Sequence, residues 1–110
     1  MAETLKVLGQ VVPTATTLTA LYTVPGSVSA VISSIIICNQ NPATTIKFRI
    51  SLAKSNAVDT PAQYIYYDLP LIANDTFIAT VGISLAATDV VRVQSDTANV
   101  SFNLLGVEVA

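Results

Sequence analysis

The chain has 110 residues, the size of a single domain, and contains no His, no Trp and one Cys. That composition excludes a Ser-His-Asp triad, a Cys-His dyad, a His-ligated metal centre, a Cys-ligated zinc site and any intrachain disulfide. Five basic residues against seven acidic ones give a net charge of -2 and no basic patch for nucleic acid, and only 11% of the chain is charged while 52% is hydrophobic. So little charge on so small a domain implies that another chain covers part of its apolar surface.

The start, Met1-Ala2-Glu3-Thr4, has neither the basic nor the apolar region of a signal peptide, so assembly in a cytoplasm is expected. Residues 1–16 read as an N-terminal arm or edge strand: Glu3 to Val12 as the strand, Pro13 to Thr16 as a hinge. Residues 17–110 read as the folded domain. Leu18, Ala20 and Tyr22 alternate with Thr17, Thr19 and Leu21, and Pro25-Gly26 makes a turn. The run from Ala30 to Cys38 is too short to cross a bilayer and reads as a strand buried on both faces, or central in its sheet. Cys38 within it is expected to be a reduced, buried thiol.

Asn39-Gln40-Asn41-Pro42 is a turn whose Asn side chains can bond their own backbone. From Thr45 to Leu52 the alternation is clear, with Ile46, Phe48, Ile50 and Leu52 inward and Thr45, Lys47, Arg49 and Ser51 on a wet face. Lys54 to Pro61 is a polar loop. In the Tyr-rich strand that follows, alternation pairs Tyr64 with Tyr66 on one face and Ile65 with Tyr67 on the other, and Pro70 is expected to end the strand. Leu71-Ile72-Ala73-Asn74-Asp75-Thr76 echoes Leu85-Ala86-Ala87-Thr88-Asp89-Val90, which predicts two equivalent turns with Asp accepting backbone N–H bonds. Between them, Ile83 to Ala87 holds at most one helical turn. Two further alternating runs, Val90 to Ser95 and Val100 to Leu104, complete seven or eight short strands. The fold expected is all-β, an antiparallel β-sandwich or jelly roll.

The candidate chemistry is sparse. The carboxylates Glu3, Asp59, Asp68, Asp75, Asp89, Asp96 and Glu108 show no pairing of the kind a glycosidase uses. Asn74, Asp75 and Asp89 offer oxygen ligands but no Asp-rich calcium loop, so no metal and no cofactor are assigned. The Tyr64-Ile65-Tyr66-Tyr67 cluster suits a protein interface, or stacking against a sugar. Lys47, Arg49 and Arg92 fall on wet faces, where they are solvated or pair with an acidic partner.

Two stretches carry a resemblance. Leu21-Tyr22-Thr23-Val24-Pro25-Gly26, followed by the apolar run ending Ile37-Cys38-Asn39, is one. The other is Tyr66-Tyr67-Asp68-Leu69-Pro70-Leu71, then Ala73 to Thr76, Leu85 to Val91, and Val100 to Glu108. Together, over roughly Leu18 to Val109, the chain resembles small structural proteins of tailed bacteriophages. The resemblance implies a virion component without enzymatic activity. It implies no catalytic residues.

The function expected is therefore that of a capsid decoration or cement protein located in the virion. It would bind the major capsid protein and itself, as a homotrimer suited to the three-fold positions of an icosahedral shell, without contacting nucleic acid or membrane. The candidate interface residues are Leu5, Val7, Val11 and Val12 of the N-terminal segment with Lys47, Arg49, Tyr64, Tyr66, Tyr67 and Arg92. A neck, tail or fibre module of the same particle is the alternative, and a carbohydrate-binding sandwich using Tyr64, Tyr66 or Tyr67 is a third.

Overall fold

The computed structural model describes residues 3–110. Eight strands form among them: β1 (Glu3–Val11), β2 (Thr19–Thr23), β3 (Ser29–Asn39), β4 (Ile46–Ala53), β5 (Tyr64–Leu71), β6 (Thr76–Leu85), β7 (Val90–Ser95) and β8 (Val100–Val109). Helical backbone is limited, among the described residues, to two single 3-10 turns, Lys54–Asn56 and Pro61–Gln63, in the β4–β5 loop. The strands make two four-stranded antiparallel sheets, β1-β8-β3-β6 and β2-β7-β4-β5.

The pairs β4·β5, β3·β6, β2·β7 and β1·β8 are those of a chain folded in two at the β4–β5 loop. Wrapping that double ribbon around a core sends alternate pairs to opposite sheets, and β3·β8 and β4·β7 then join the pairs within each sheet. This is the jelly-roll connectivity, and the all-β sandwich expectation holds with eight strands.

The core lies between the sheets. Ile32, Ile35 and Ile37 from β3, Ile46, Phe48 and Ile50 from β4, Val91 and Val93 from β7, and Val100, Phe102 and Leu104 from β8 are fully buried. Burying each of these side chains contributes roughly 1.5–3 kcal/mol. Phe48 is the hub: its ring centroid lies 5.6 Å from Phe77, 6.0 Å from Tyr66 and 6.3 Å from Phe102, so one β4 side chain ties β5, β6 and β8 together.

Several strand readings change, and β-bulges account for most of the changes. A bulge adds one residue to a strand and shifts the phase of everything beyond it. On β2, Ala20 faces Arg92 and Tyr22 faces Val91, so Leu21 is the extra residue and both Leu21 and Tyr22 turn inward. On β3 the irregularity is at Ser33, whose hydroxyl donates to the Leu105 carbonyl at 3.1 Å. β3 is central, between β8 and β6, but it is buried on one face only: Val31 is exposed and Cys38 only half-buried, not the enclosed thiol expected. On β4, Ser51 is fully buried rather than wet, because it sits between Tyr64 and Arg92 on the face that the β4–β5 loop crosses. Pro70 does not end β5. It lies opposite Lys47 inside the strand, and β5 tolerates it because β5 is an edge of its sheet.

The N-terminal segment is a strand of its own sheet, not a free arm. β1 runs antiparallel to β8, and Leu8 and Val11 pack against the core. A Cβ on Gly9 would come 2.2 Å from the Leu21 carbonyl oxygen, so β1 crosses β2 at a distance only glycine permits. Pro13 is buried and Thr16 donates its N–H to the Ser95 carbonyl at 2.7 Å, which makes the expected hinge a fixed crossover between the sheets. Met1 and Ala2 lie outside the described residues.

The crossovers are secured by side-chain amides and carboxylates. Asn39, 1% exposed, spreads its amide over the carbonyls of Thr44 (2.8 Å), Leu71 and Ile72 (3.1 Å each). Its carbonyl oxygen accepts the Asn41 N–H at 3.0 Å, the predicted self-capping turn, and the Asn41 amide at 2.9 Å. Asn41 in turn donates to the Ala98 carbonyl at 2.9 Å.

The two echoed turns are equivalent, as expected. Asp75 and Asp89 donate their N–H groups to Ile72 and Ala86 at 3.3 and 3.2 Å, and Asn74 and Thr88 just before them are left-handed, with φ of 58° and 71°. Each turn also exchanges backbone bonds with a neighbouring loop: Asp75 and Asn74 with Asn39 and Asn41, Asp89 and Thr88 with Val24.

Asn39→Ala removes the amide from the buried Leu71 carbonyl and the part-buried Thr44 and Ile72 carbonyls, and such a loss costs about 1–3 kcal/mol. The expected result is a lower urea midpoint with an unchanged slope. A midpoint within error of the parent chain would show that the knot is not needed.

Candidate functional site

The outer face of the β2-β7-β4-β5 sheet gathers most of the polar candidates. Residues directly opposite one another on paired strands share a face, so the register of β4 and β5 decides which tyrosines meet. Ile50 faces Tyr66 and Ser51 faces Tyr64, which leaves Ile65 as an extra residue. Phe48 faces Leu69, so Tyr67 and Asp68 together bulge opposite Arg49, with Asp68 left-handed at φ 53°. These two bulges overturn the alternation read from the sequence. Tyr66 turns toward the core, where it is partly buried and its ring packs 5.6 Å from Phe77. Tyr64 instead joins Tyr67 outside, ring centroids 5.2 Å apart and edge to face.

Arg49 sits between them. Its guanidinium carbon lies 4.0 Å from the Tyr67 ring centroid. Its Nε and Nη2 donate to Asp68 Oδ1 and Oδ2 at 2.7 and 3.2 Å, a bidentate pair. Asp68 holds Arg49 charged, and Arg49 holds the Asp68 carboxyl below its usual range. The Tyr64 hydroxyl donates to Asp59 Oδ2 at 2.9 Å, and burial followed by this bond pushes its pKa up. Arg49, Asp59, Thr60, Pro61, Tyr64 and Tyr67 line an open cleft of about 440 Å3. That volume lies within the range of small-ligand sites.

The other basic candidates behave differently. Arg92 donates to the Ala57 carbonyl at 2.9 Å and to Asn56 Oδ1 at 2.8 Å, so it fastens the β4–β5 loop through two neutral acceptors and keeps its charge. Lys47 remains exposed, while its backbone N–H donates to Asp96 Oδ1 at 3.0 Å.

The apolar candidates sit on the opposite sheet. Leu5 and Val7 are exposed on the outer face of β1, facing Val107 and Leu105 of β8. Val12 is exposed, and Val11 packs against the core while lining a shallow cleft with Gln10, Val12 and Phe102. The sequence reading missed two residues here. Ile78, 62% exposed, and Val31 extend the Leu5–Val7 surface across the sheet. The signal for Ile78 was the plain alternation Thr76-Phe77-Ile78-Ala79-Thr80, in which Phe77 and Ala79 turn inward. On the other sheet it also missed Asp68, which folding brings to Arg49, and Asp59, which lines the cleft beside Tyr64.

Glu108 was also missed. Its carboxylate bridges the sheets, accepting the Tyr22 hydroxyl at 2.6 Å and pairing with Lys6 at 2.7 Å. Lys6 and then Tyr22 hold the Glu108 carboxyl below its ordinary value, and burial, helped by Glu108, pushes the Tyr22 hydroxyl up. Asp75 and Asp89 stand at opposite ends of β6 and take up backbone N–H groups, Asp75 that of Thr76, Asp89 those of Ser55 and Ala86, so they share no cation. No helix among the described residues is long and apolar enough to cross a membrane.

A lowered folded-state pKa stabilises the fold above the unfolded-state value and is lost as the pH falls. Stability should therefore drop as acid titrates Glu108 below its ordinary value of 4.5. Glu108→Gln is expected to start less stable at neutral pH and to show a shallower fall in melting temperature between neutral pH and about pH 3. Parallel curves for the two proteins would exclude this role. Among known proteins, no family model and no curated sequence matches this chain.

Proposed function

We propose that the chain is a non-enzymatic structural protein of a bacteriophage particle, one that decorates the capsid and stabilises it by covering joints between shell subunits. The observation that carries this reading is the apolar outer face of the β1-β8-β3-β6 sheet, where Leu5, Val7, Val31 and Ile78 stand exposed. Large apolar side chains gathered on one outer face of a sheet mark protein interfaces. At about 25 cal/mol per Å2, covering a few hundred Å2 adds several kcal/mol per copy, repeated at every equivalent position on a shell. The low charge of the chain and its resemblance to phage structural proteins support the same reading, as does the density of fixed crossovers, which suits a rigid building block.

The sandwich fold itself is neutral, since jelly rolls serve as capsid subunits and as lectins. The decisive measurement is copy number. Purified particles carrying this gene product should hold it at one copy per major shell subunit, or at a simple fraction such as a third or a half, by quantitative mass spectrometry. A far smaller number points to a neck, tail or fibre position, and absence from particles overturns the structural reading.

The cleft around Arg49 favours a second reading, a carbohydrate-binding sandwich. Two tyrosine rings, a guanidinium and the Asp59 carboxylate offer a stacking edge with donors and acceptors in one 440 Å3 space. Saturation-transfer NMR against neutral mono- and oligosaccharides tests it: transfer that disappears in Tyr67→Ala supports sugar binding, and no transfer from any of them removes it.

A further inference from the structure

The two outer faces of the sandwich are chemically unlike. The β2-β7-β4-β5 face carries Lys47, Arg49, Asp68 and Arg92 and is crossed by the β4–β5 loop. The β1-β8-β3-β6 face is bare. Register places on it Leu5 and Val7 from β1, Leu105 and Val107 from β8, Val31 from β3 and Ile78 from β6. Leu5 is 83% exposed, Ile78 62%, Val7 49% and Val31 41%. The polar residues among them are uncharged, Ser34 and Thr80 for example, and the one carboxylate on this face, Glu3, stands at its corner opposite Val109. Lys6 points the other way, to Glu108.

We propose that this face is a self-association surface whose occupant is a second copy of the chain, the two sheets stacking face to face about a two-fold axis. This rests on the reading of the chain as an assembly subunit and assigns the face to contacts between copies, so that the unit set on a shell is a dimer that meets the shell through its remaining surfaces. Two arguments favour a copy over an unrelated protein. A face whose one charge, Glu3, stands at a corner meets its own image with little like-charge repulsion, whereas it offers an unlike partner little complementary charge to select it. The area also suffices: four strands about 4.8 Å apart and about 30 Å long cover on the order of 600 Å2, so a pair buries roughly 1,200 Å2, the lower bound for a specific interface. Stacked sheets about 10 Å apart need only such a flat, apolar surface. The three-fold expectation came from shell geometry; a single flat face closes on itself in a pair.

The rival form of self-association is edge pairing, with β1 of one copy extending the sheet of another. Ile78 separates face stacking from pairing of β1 with β1, because β6 lies at the opposite edge of the sheet. The test is sedimentation velocity on the purified chain at about 1–100 µM, with circular dichroism to confirm folding. The parent chain is expected to dimerise, and Ile78→Lys and Leu5→Lys each to weaken the dimer at least tenfold while keeping the strand spectrum. Val58→Lys, which changes an 84% exposed residue of the β4–β5 loop, is expected to leave the dimer unchanged.

A parent chain that stays monomeric to 100 µM overturns the proposal. So does an oligomer that Ile78→Lys leaves intact, which would indicate edge pairing or another surface, and so does a trimer. Particle copy number is measured separately, so a monomeric chain found in stoichiometric amounts on particles would refute self-association without touching the structural reading.

Discussion

A jelly roll made of short strands must carry its chain repeatedly from one sheet to the other, and at each crossing the backbone leaves the ladders that satisfy its N–H and C=O groups. That constraint shapes this molecule more than any single apolar contact. Asn39 meets it at one end by spreading one amide over three carbonyls and closing its own turn through Asn41. The paired turns before β6 and β7 meet it with left-handed residues and Asp carboxylates that accept backbone N–H groups. With its ends fastened in this way, the sandwich can hold a small core of isoleucine, valine and a few aromatic rings around Phe48.

The bulges follow from the same economy of short strands. Each one lets a strand keep an apolar residue inward where strict alternation would send it out, as at Leu21, or turns a side chain toward the surface, as at Tyr67 and Asp68. The second effect builds the Arg49 cluster. The guanidinium is fixed by Asp68 and by the Tyr67 ring, so Arg49 is internally paired while Lys47 and Arg92 keep their charges on the same face. The apolar face has no such internal partner. That contrast is why the structural reading puts the contacts of an assembly on the β1-β8-β3-β6 sheet, while the Arg49 cleft carries the second reading.

The fold class was legible in the sequence because β-branched residues, period-2 runs and turn dipeptides all survive in a linear text. The strand from Thr45 onward, the inward set of β8 and the echo of the Asp75 and Asp89 turns were all visible that way. The site was less so. Leu5 and Val7 stood out as apolar residues near an edge, but Ile78 and Val31 needed a sheet to place them beside those two. Tyr64 and Tyr67 stand out as a cluster, but alternation sorts them to opposite faces, and it does not show that Tyr66 packs toward Phe77.

The amino-acid sequence by itself determined that this is a small all-β domain, low in charge and without the residues for His or multi-Cys chemistry. Those properties depend on composition and on local periodicity, which need no knowledge of neighbours. Only the tertiary structure decided the strand order, the fixed place of β1, the burial of Ser51, the persistence of β5 through Pro70 and the meeting of Arg49 with Tyr67 and Asp68. A bulge is defined by the strand opposite it, and an edge by the strand that is missing. Both are properties of pairing between segments far apart in the chain, so no local pattern could encode them.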